Sequence, residues 1–241
     1  MPNNYFQFKE FTIYQEKSTL KVNTDSCVFG AWSAKKALQL EFHITRCLDI
    51  GAGTGLLMLM LAQQFPGPID GVEIDKDSYE QAMENIKTSS WYDRLHLFHN
   101  DIKLFSALHQ YDFIISNPPF FESHLKSAKQ KNNFAKHDDG LTLLDLLEVV
   151  DRNLTARGYL AVLLPYHRSD YFEELAAGYQ LFVTNKLLMR QSPQHPYFRT
   201  ALILNRKNKG LIKKEELTIR QTPVTYAPAF IALLKDYYLY L

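Results

Sequence analysis

The stretch NPPFF, residues 117–121, directly follows an apolar run at residues 111–116. Prolines cannot donate the hydrogen bonds of a sheet, so a strand over this run must end near Ser116. Each proline fixes its own φ and Asn117 precedes a proline, so the backbone beyond the strand is extended and nearly rigid, with unpaired carbonyls. Such a segment can present acceptors to a ligand, although a proline-rich strand exit with two core aromatic residues would have the same sequence.

A glycine-rich turn stands at the end of another apolar run. In LDIGAGTG, Asp49 precedes Gly51, Gly53 and Gly55 where a buried strand turns into a helix. Glycines let the backbone approach a ligand closely, and the helix begins with free N–H groups. A dinucleotide site would have a glycine at position 56, which is Leu56, so the spacing instead resembles motif I of the Rossmann-like S-adenosylmethionine methyltransferases. By that resemblance, Asp49 orients the loop and the positively charged methionine end of the cofactor.

Two later strand ends add polar residues to the same predicted pocket. Glu73 ends the run IDGVE, where a carboxylate can accept both ribose hydroxyls of a nucleoside, although an ordinary surface carboxylate is the alternative. Asp101 follows the next strand, where such methyltransferases commonly place a carboxylate near the adenine amino group, and Ile102 beside it can flank the ring. These three residues are therefore predicted to bind S-adenosylmethionine together with motif I.

The elements that must position these residues alternate along the chain. Buried runs such as RCLDIG and GYLAVLLP alternate with helical patterns such as DSYEQAMENIKTS, which favours a parallel, doubly wound sheet. In TLLDLLEVVDRNL, Thr142 is the expected N-cap and Asp145 follows three residues later. We expect one α/β domain over residues 1–241: a Rossmann-like, mostly parallel seven-stranded core at 45–241 and a small N-terminal cap at 1–44, in which FQFKEFTI alternates as a strand would.

Motif I and NPPF each follow a central strand. In an open sheet, a crevice forms beyond the carboxyl ends of the two strands at which the strand order reverses, so we expect both motifs to face one pocket. NPPF resembles motif IV of the amino-methyltransferases. By that resemblance, the side-chain oxygen of Asn117 and the carbonyl of Pro118 accept hydrogen bonds from a target NH₂, and Asn117 also borders the cofactor. Phe120 or Phe121 offers a face on which an unstacked base can lie.

Longer stretches narrow the resemblance. FQFKEFTI, LKVNTDSCVFGAW, NPPFF, AKHDDGLTLLDLL and YAPAFIALLKDYYL together resemble the bacterial tRNA adenine-N6 methyltransferases that modify the adenine next to the anticodon of valine tRNA. The resemblance implies N6-methylation of adenine, S-adenosylmethionine as cofactor and tRNA as partner. It also implies that Asp25 and Trp32 lie near the cofactor; a cap and a core aromatic are the alternatives. The residues predicted to contact RNA are basic: Lys21, Lys126, Lys129, Lys131 and His137.

Composition limits the other functional classes. The chain has 241 residues, is 46% apolar and has a formal net charge of +1, so it can bury a full core and has no overall field that demands nucleic acid. Lysines do cluster in HLKSAKQKNNFAKH and in NRKNKGLIKKEE, for which a solvated loop is the alternative interpretation. No apolar run could span a bilayer, and Cys27 and Cys47 lack metal spacing. We expect a cytoplasmic protein with no metal site, with a monomer favoured.

Two alternatives remain open at this stage. Protein-glutamine N5 methyltransferases and rRNA guanine-N2 methyltransferases also have N-P-P-[FY], since an amide nitrogen is delocalised just as an aromatic amine is. A catalytically silent module that binds RNA or cofactor and uses NPPFF for packing belongs to a different class. The retention of every cofactor element argues against that module.

Overall fold

The structure, a computed structural model, describes residues 3–18, 21–119, 140–207 and 210–241. Its first strands, β1 (Tyr5–Gln7) and β2 (Thr12–Tyr14), pair as an antiparallel hairpin. The strands of the main sheet are β3 (Cys47–Ile50), β4 (Ile69–Glu73), β5 (Leu95–His99), β6 (Tyr111–Ser116), β7 (Leu154–Pro165), β8 (Phe182–Arg190), β9 (Tyr197–Asn205) and β10 (Lys213–Thr218). The helices are α1 (Thr24–Ala37), α2 (Leu56–Ala62), α3 (Lys76–Lys87), α4 (Leu143–Asn153), α5 (Ser169–Gly178) and α6 (Pro228–Leu234).

The main sheet has the strand order β10-β8-β9-β7-β6-β3-β4-β5. β3 pairs in parallel with β4 and β6, and β7 pairs in parallel with β6, whereas β9 is antiparallel to both β7 and β8. The strand order reverses between β3 and β6, so the crevice beyond their carboxyl ends is the topological switch point. The predicted α/β, doubly wound and mostly parallel fold is confirmed.

An eighth strand corrects the predicted count of seven. β10 has the sequence KKEELT and pairs in parallel with β8 at the edge of the sheet. Its charges suggested a solvated loop, but an edge strand pairs on one side only and can keep charged side chains in water. Leu217 is buried on this strand, while its lysines are exposed. One buried residue is too short a pattern to identify a strand from sequence.

Helices cover both faces of the sheet. On one face, the apolar cluster contains Phe29 of α1, Met60 of α2 and Phe230 of α6. On the other face, Leu147 of α4 and Phe172 of α5 belong to a second cluster. The central strands are buried on both sides, as expected for parallel strands with helices on both faces. This rigid framework leaves the loops at the carboxyl ends of the strands to form a site.

The predicted N-terminal cap corresponds to the hairpin and α1. Asn85 of α3 accepts a hydrogen bond from the backbone N–H of Tyr14 and donates one to its carbonyl, both at 2.9 Å. Phe8 forms a backbone bridge with Tyr238. The hairpin therefore covers α3 and the C-terminal segment and not the sheet itself, whereas α1 packs against α2 as part of the helix layer.

No helix in the described ranges is long and apolar enough to cross a membrane. Within the same part of the chain, no group of three or more His, Cys, Asp or Glu side chains is arranged to hold a metal ion. Cys27 and Cys47 are buried free thiols, in agreement with their expected role as small apolar residues.

Candidate active site

The sheet register places the two sequence motifs side by side. Ile50 ends β3 and pairs with Ser116, which ends β6. The Ser116 hydroxyl also donates a hydrogen bond of 2.9 Å to the Ile50 carbonyl, so the two strand ends are tied together. Gly51 and Asn117 therefore leave the sheet at the same edge, next to the switch point. The prediction that motif I and NPPF share one pocket is consistent with this register.

The glycine loop has the backbone that its sequence predicts. Gly51, Gly53 and Gly55 have φ values of +74°, +55° and +80°, in the left-handed region that favours glycine. The N–H groups of Gly51 and Ala52 donate to the Val72 carbonyl at 2.9 and 3.1 Å, which fastens the loop to β4. A Cβ atom at Gly51 or Gly53 would meet no atom within 4 Å among the described residues. The loop therefore borders an open cradle that a side chain would fill.

Asp49 lies beneath this loop with an unpaired carboxyl group. Its side chain is fully buried, and neither carboxyl oxygen has a hydrogen-bond partner among the described residues. Burial and, to a lesser extent, the nearby Glu73 charge raise the pKa of Asp49 to about 8. A buried polar group without a partner is costly and calls for an explanation such as a ligand. A cation or a hydrogen-bond donor bound in the cradle would supply the missing partner of the Asp49 carboxyl group.

Glu73 holds the glycine loop. Its carboxylate is 8% exposed and accepts hydrogen bonds from the backbone N–H of Gly53 at 2.7 Å and of Asp75 at 2.9 Å, one on each oxygen. The loop-orienting role predicted for Asp49 therefore falls to Glu73 within the described residues. Each carboxylate oxygen keeps a second acceptor position, so the predicted ribose role of Glu73 stays a prediction.

Asp101 and Ile102, which were predicted to contact the adenine of the cofactor, differ in how exposed they are. Asp101 accepts a hydrogen bond from the backbone N–H of Lys103 at 2.8 Å and keeps its side chain 26% exposed. Ile102 is only 7% exposed and packs into the core cluster. Ile74, directly after Glu73, is 63% exposed and was missed by the sequence interpretation. The signal for it was available, since an apolar residue directly follows the acidic end of a buried strand.

Asn117 has a defined amide orientation. Its Nδ2 group donates a hydrogen bond of 2.9 Å to the Ser26 hydroxyl of α1. Among the described residues, its Oδ1 atom accepts no hydrogen bond, so this oxygen is available to a ligand. The half-buried Asn117 is followed by a buried Pro118 and an exposed Pro119. The rigid acceptor segment predicted from sequence thus begins with an amide whose oxygen accepts no hydrogen bond from the described residues.

The first turn of α1 supports this amide. Asn23 caps the helix by accepting a hydrogen bond from the Ser26 backbone N–H at 2.8 Å. The Asp25 carboxylate pairs with Arg199 Nε of β9 at 2.7 Å, so its side chain is already committed within the protein. Sequence interpretation missed both Ser26 and Arg199. Asn23 three residues before Ser26 was the available signal, because that spacing is typical of a helix N-cap.

The remaining predicted site residues are a core aromatic residue, an exposed lysine and six residues outside the described part of the chain. Trp32 is 2% exposed and belongs to the core cluster of α1 and α2, which favours the core-aromatic interpretation over an open binding surface. Lys21 is exposed just before α1. The following predicted residues lie outside the described part of the chain: Phe120, Phe121, Lys126, Lys129, Lys131 and His137.

The switch-point crevice, the glycine loop and the acidic strand ends define a Rossmann-like methyltransferase site. The model of the methyltransferase small domain family matches residues 21–142. Two proteins described as tRNA1(Val) (adenine(37)-N6)-methyltransferase, from Trichodesmium erythraeum and Dyadobacter fermentans, are 41% and 40% identical to the chain, each over 99% of both lengths. The chain belongs to this methyltransferase family.

Solved structures share the fold. A predicted O-methyltransferase from Agrobacterium tumefaciens superposes with a TM-score of 0.64 at 12% identity, over 88% of this chain and 95% of its own. A class I S-adenosylmethionine-dependent methyltransferase from Listeria monocytogenes gives 0.61 at 16% identity, over 92% of this chain and 71% of its own. At these identities the similarity supports the fold alone, and the fold agrees with the family.

Proposed function

We propose that this chain transfers a methyl group from S-adenosylmethionine to the N6 amine of an adenine in tRNA. The observation that supports this most directly is the amide of Asn117, whose Nδ2 is bound to Ser26 while Oδ1 is left for a ligand at the switch point. The relatives are described as acting on adenine 37 of tRNA1(Val), the position we propose here.

The cofactor fits the residues around the glycine loop. The cradle above Gly51 and Gly53 has room for a ligand that approaches the backbone. Asp49 supplies a carboxylate for the positively charged methionine end, and Glu73 supplies the ribose acceptors beside it. Asp101 can accept from the adenine amino group, and the exposed Ile74 offers an apolar face to the ring. We expect calorimetric titration to detect S-adenosylmethionine binding and no NAD binding.

The acceptors at NPPF address the weak nucleophilicity of the target amine. The lone pair of an adenine amine is delocalised into the ring, which makes the amine a poor nucleophile. Asn117 Oδ1 and the Pro118 carbonyl accept hydrogen bonds from the two N–H groups of the amine. These hydrogen bonds draw the N–H groups out of the base plane and release the lone pair. Both oxygens also stabilise the positive charge that develops on nitrogen, as preorganised dipoles do in other active sites.

The chain needs no strong base for this reaction. Bound S-adenosylmethionine supplies a methyl group on a sulfonium centre, and the alkylated amine is then acidic enough to lose its proton to water. The protein positions the target amine in line with the methyl group of a cofactor bound in the cradle. The rigid proline segment favours this geometry. Exclusion of water from the crevice strengthens the same hydrogen bonds.

The test is mass spectrometry of nucleosides from a valine tRNA transcript incubated with the purified protein and S-adenosylmethionine. We expect N6-methyladenosine in this transcript and none when adenine 37 is replaced by guanine. Methylation of a guanine N2 in the transcript in place of the adenine N6 would contradict the proposal. Binding of S-adenosylmethionine without any transfer would instead support the silent module.

A further inference from the structure

Aromatic and basic residues lie at the same end of the sheet as Asn117, beyond the carboxyl end of β6. Tyr166 follows β7, Arg190 ends β8 and Tyr197 begins β9. Arg190 pairs with Tyr197 across β8 and β9, and β7 is the parallel neighbour of β6. The three side chains are called the edge platform below. Strands lie about 4.8 Å apart, so β9 is roughly 10 Å from β6 and the platform adjoins NPPF.

The geometry of the edge platform is that of an open stacking surface. The rings of Tyr166 and Tyr197 have centroids 5.5 Å apart, and the Arg190 guanidinium lies 5.6 Å from the Tyr197 centroid. Tyr166 is 42% exposed and the Arg190 side chain 31% exposed, so neither group is part of the core. Aromatic faces next to a guanidinium are the combination that binds unpaired bases and their phosphates.

The start of β9 brings the edge platform near the residues that hold Asn117. Tyr197 and Arg199 lie two residues apart on β9, where the pairing with Arg190 and Met189 of β8 has a register irregularity. Arg199 pairs with Asp25 at 2.7 Å, and the next residue, Ser26, holds Asn117. A base placed on the platform would therefore belong to a nucleotide close to the one at Asn117.

The acidic residue Glu216 contacts two members of the edge platform. Glu216 of β10 lies 3.7 Å from Arg190 and raises the pKa of Tyr197 by accepting a hydrogen bond from its hydroxyl. Arg168 follows Tyr166 by two residues and is half-buried, while His195 is exposed in the turn between β8 and β9. Glu216 thus holds Arg190 and Tyr197 in place in the free protein and competes with a phosphate for Arg190.

We propose that the edge platform binds unpaired loop nucleotides of the substrate RNA beside the target adenine, with Tyr166 or Tyr197 stacking on a base and Arg190 contacting a phosphate. The proposal rests on the proposed function, since the partner is the RNA that presents the adenine. It adds a substrate surface at the carboxyl ends of β7 and β8 and the start of β9 to the residues predicted from sequence to contact RNA.

The test measures binding of valine tRNA and its KM for Tyr166→Ala and Arg190→Gln. We expect about a 10-fold to 100-fold loss of tRNA affinity for Tyr166→Ala, the range of base stacking on an aromatic side chain. Arg190→Gln should lower the slope of log affinity against log salt by about one, because one phosphate contact is lost. S-adenosylmethionine affinity should remain unchanged in both variants.

Matched control residues lie at the opposite end of the strands, near the amino ends of β5 and β7. Tyr92 is 47% exposed and precedes β5, and Arg157 lies near the start of β7 with its guanidinium 5.0 Å from the Phe42 ring. Tyr92→Ala and Arg157→Gln change the same residue types and should leave tRNA affinity unchanged. An equal loss in the controls and in the platform variants would overturn the proposal.

A third variant separates binding from folding defects. Glu216→Gln removes the competitor of the phosphate and should tighten tRNA binding by about twofold to fivefold, the scale of an exposed charge pair. Misfolding cannot produce such a gain. If wild-type protein methylates tRNA while the Tyr166→Ala, Arg190→Gln and Glu216→Gln variants all bind it as wild type does, the platform is wrong and the proposed function stands. If wild-type protein neither binds nor methylates tRNA, both fail.

Discussion

Ser26 and Asn117, 91 residues apart in the chain, meet through a hydrogen bond of 2.9 Å from the Asn117 amide to the Ser26 hydroxyl. Ser26 is itself held by the Asn23 cap on α1. The bond uses Nδ2 as a donor, so Oδ1, which accepts no hydrogen bond from the described residues, is the amide atom left as an acceptor. The chemistry proposed for NPPF depends on this orientation.

Removal of the acceptor should affect chemistry and not cofactor binding. We expect Asn117→Ala to lower kcat for adenine-N6 methylation by ~10²–10³, as the loss of one preorganised charge-stabilising group does elsewhere. S-adenosylmethionine affinity should stay close to that of the wild type, because the acceptor acts mainly as charge develops on nitrogen. Single-turnover assays with saturating cofactor measure the step directly, and a wild-type rate there would refute the mechanism.

Loss of the Ser26 hydroxyl should leave the acceptor present but poorly oriented. We expect Ser26→Ala to lower kcat by about 3-fold to 10-fold, the scale of one hydrogen bond, with the KM for tRNA nearly unchanged. Ser26→Thr keeps a hydroxyl and should restore the rate. Asn23→Ala, which removes the cap, serves as a folding control that lowers Tm. If threonine fails to rescue while Tm is normal, the hydrogen bond does not orient Asn117.

The cradle should be sensitive to any side chain on the glycine loop. Gly53→Val places a branched side chain in open space at a φ of +55°, so we expect loss of S-adenosylmethionine binding together with some strain in the loop. Gly178 also faces open space but has no positive φ, and Gly178→Val is the matched control. Calorimetry gives the affinity, and tight cofactor binding by Gly53→Val would place the ligand elsewhere.

The Asp49 carboxyl should link cofactor binding to pH. Its pKa is raised from 3.8 to about 8, so the folded protein retains a proton that the unfolded chain loses, and stability should fall as pH rises from about 4 to 8. A cationic ligand favours the ionised form, so S-adenosylmethionine affinity should increase as pH rises from 6 to 8. Isothermal titration across this range tests the trend, which a flat affinity profile would contradict.

Replacement of Asp49 should stabilise the folded protein and weaken cofactor binding. Asp49→Asn removes the ionisation and should raise Tm at pH 8 by about 2–8 °C while it weakens cofactor binding severely. Asp93→Asn, an exposed substitution before β5, should change neither quantity. A lower Tm for Asp49→Asn at pH 8 would mean that the carboxylate is stabilised by contacts other than a ligand.

Local features were accessible from the sequence because they depend on neighbouring residues. The prolines stop β6 at Ser116 since they lack an N–H group, and the glycines of motif I adopt the positive φ values that their spacing implies. Thr142 caps α4 and forms a capping box with Asp145, as predicted. The alternation of strands and helices likewise specified the doubly wound class.

Long-range pairs required the tertiary structure. Three contacts in the site join residues from different elements. They are the hydrogen bond from Asn117 to Ser26, the ion pair of Asp25 with Arg199 and the hydrogen bond from the Gly53 N–H to Glu73. Their partners depend on strand register and on the position of α1 against the sheet, neither of which leaves a periodic pattern in the sequence. Edge strand β10 was missed for a related reason, because backbone pairing along one side places little demand on side chains. Sequence therefore determined which groups the site contains, and tertiary packing decided how their hydrogen bonds are directed.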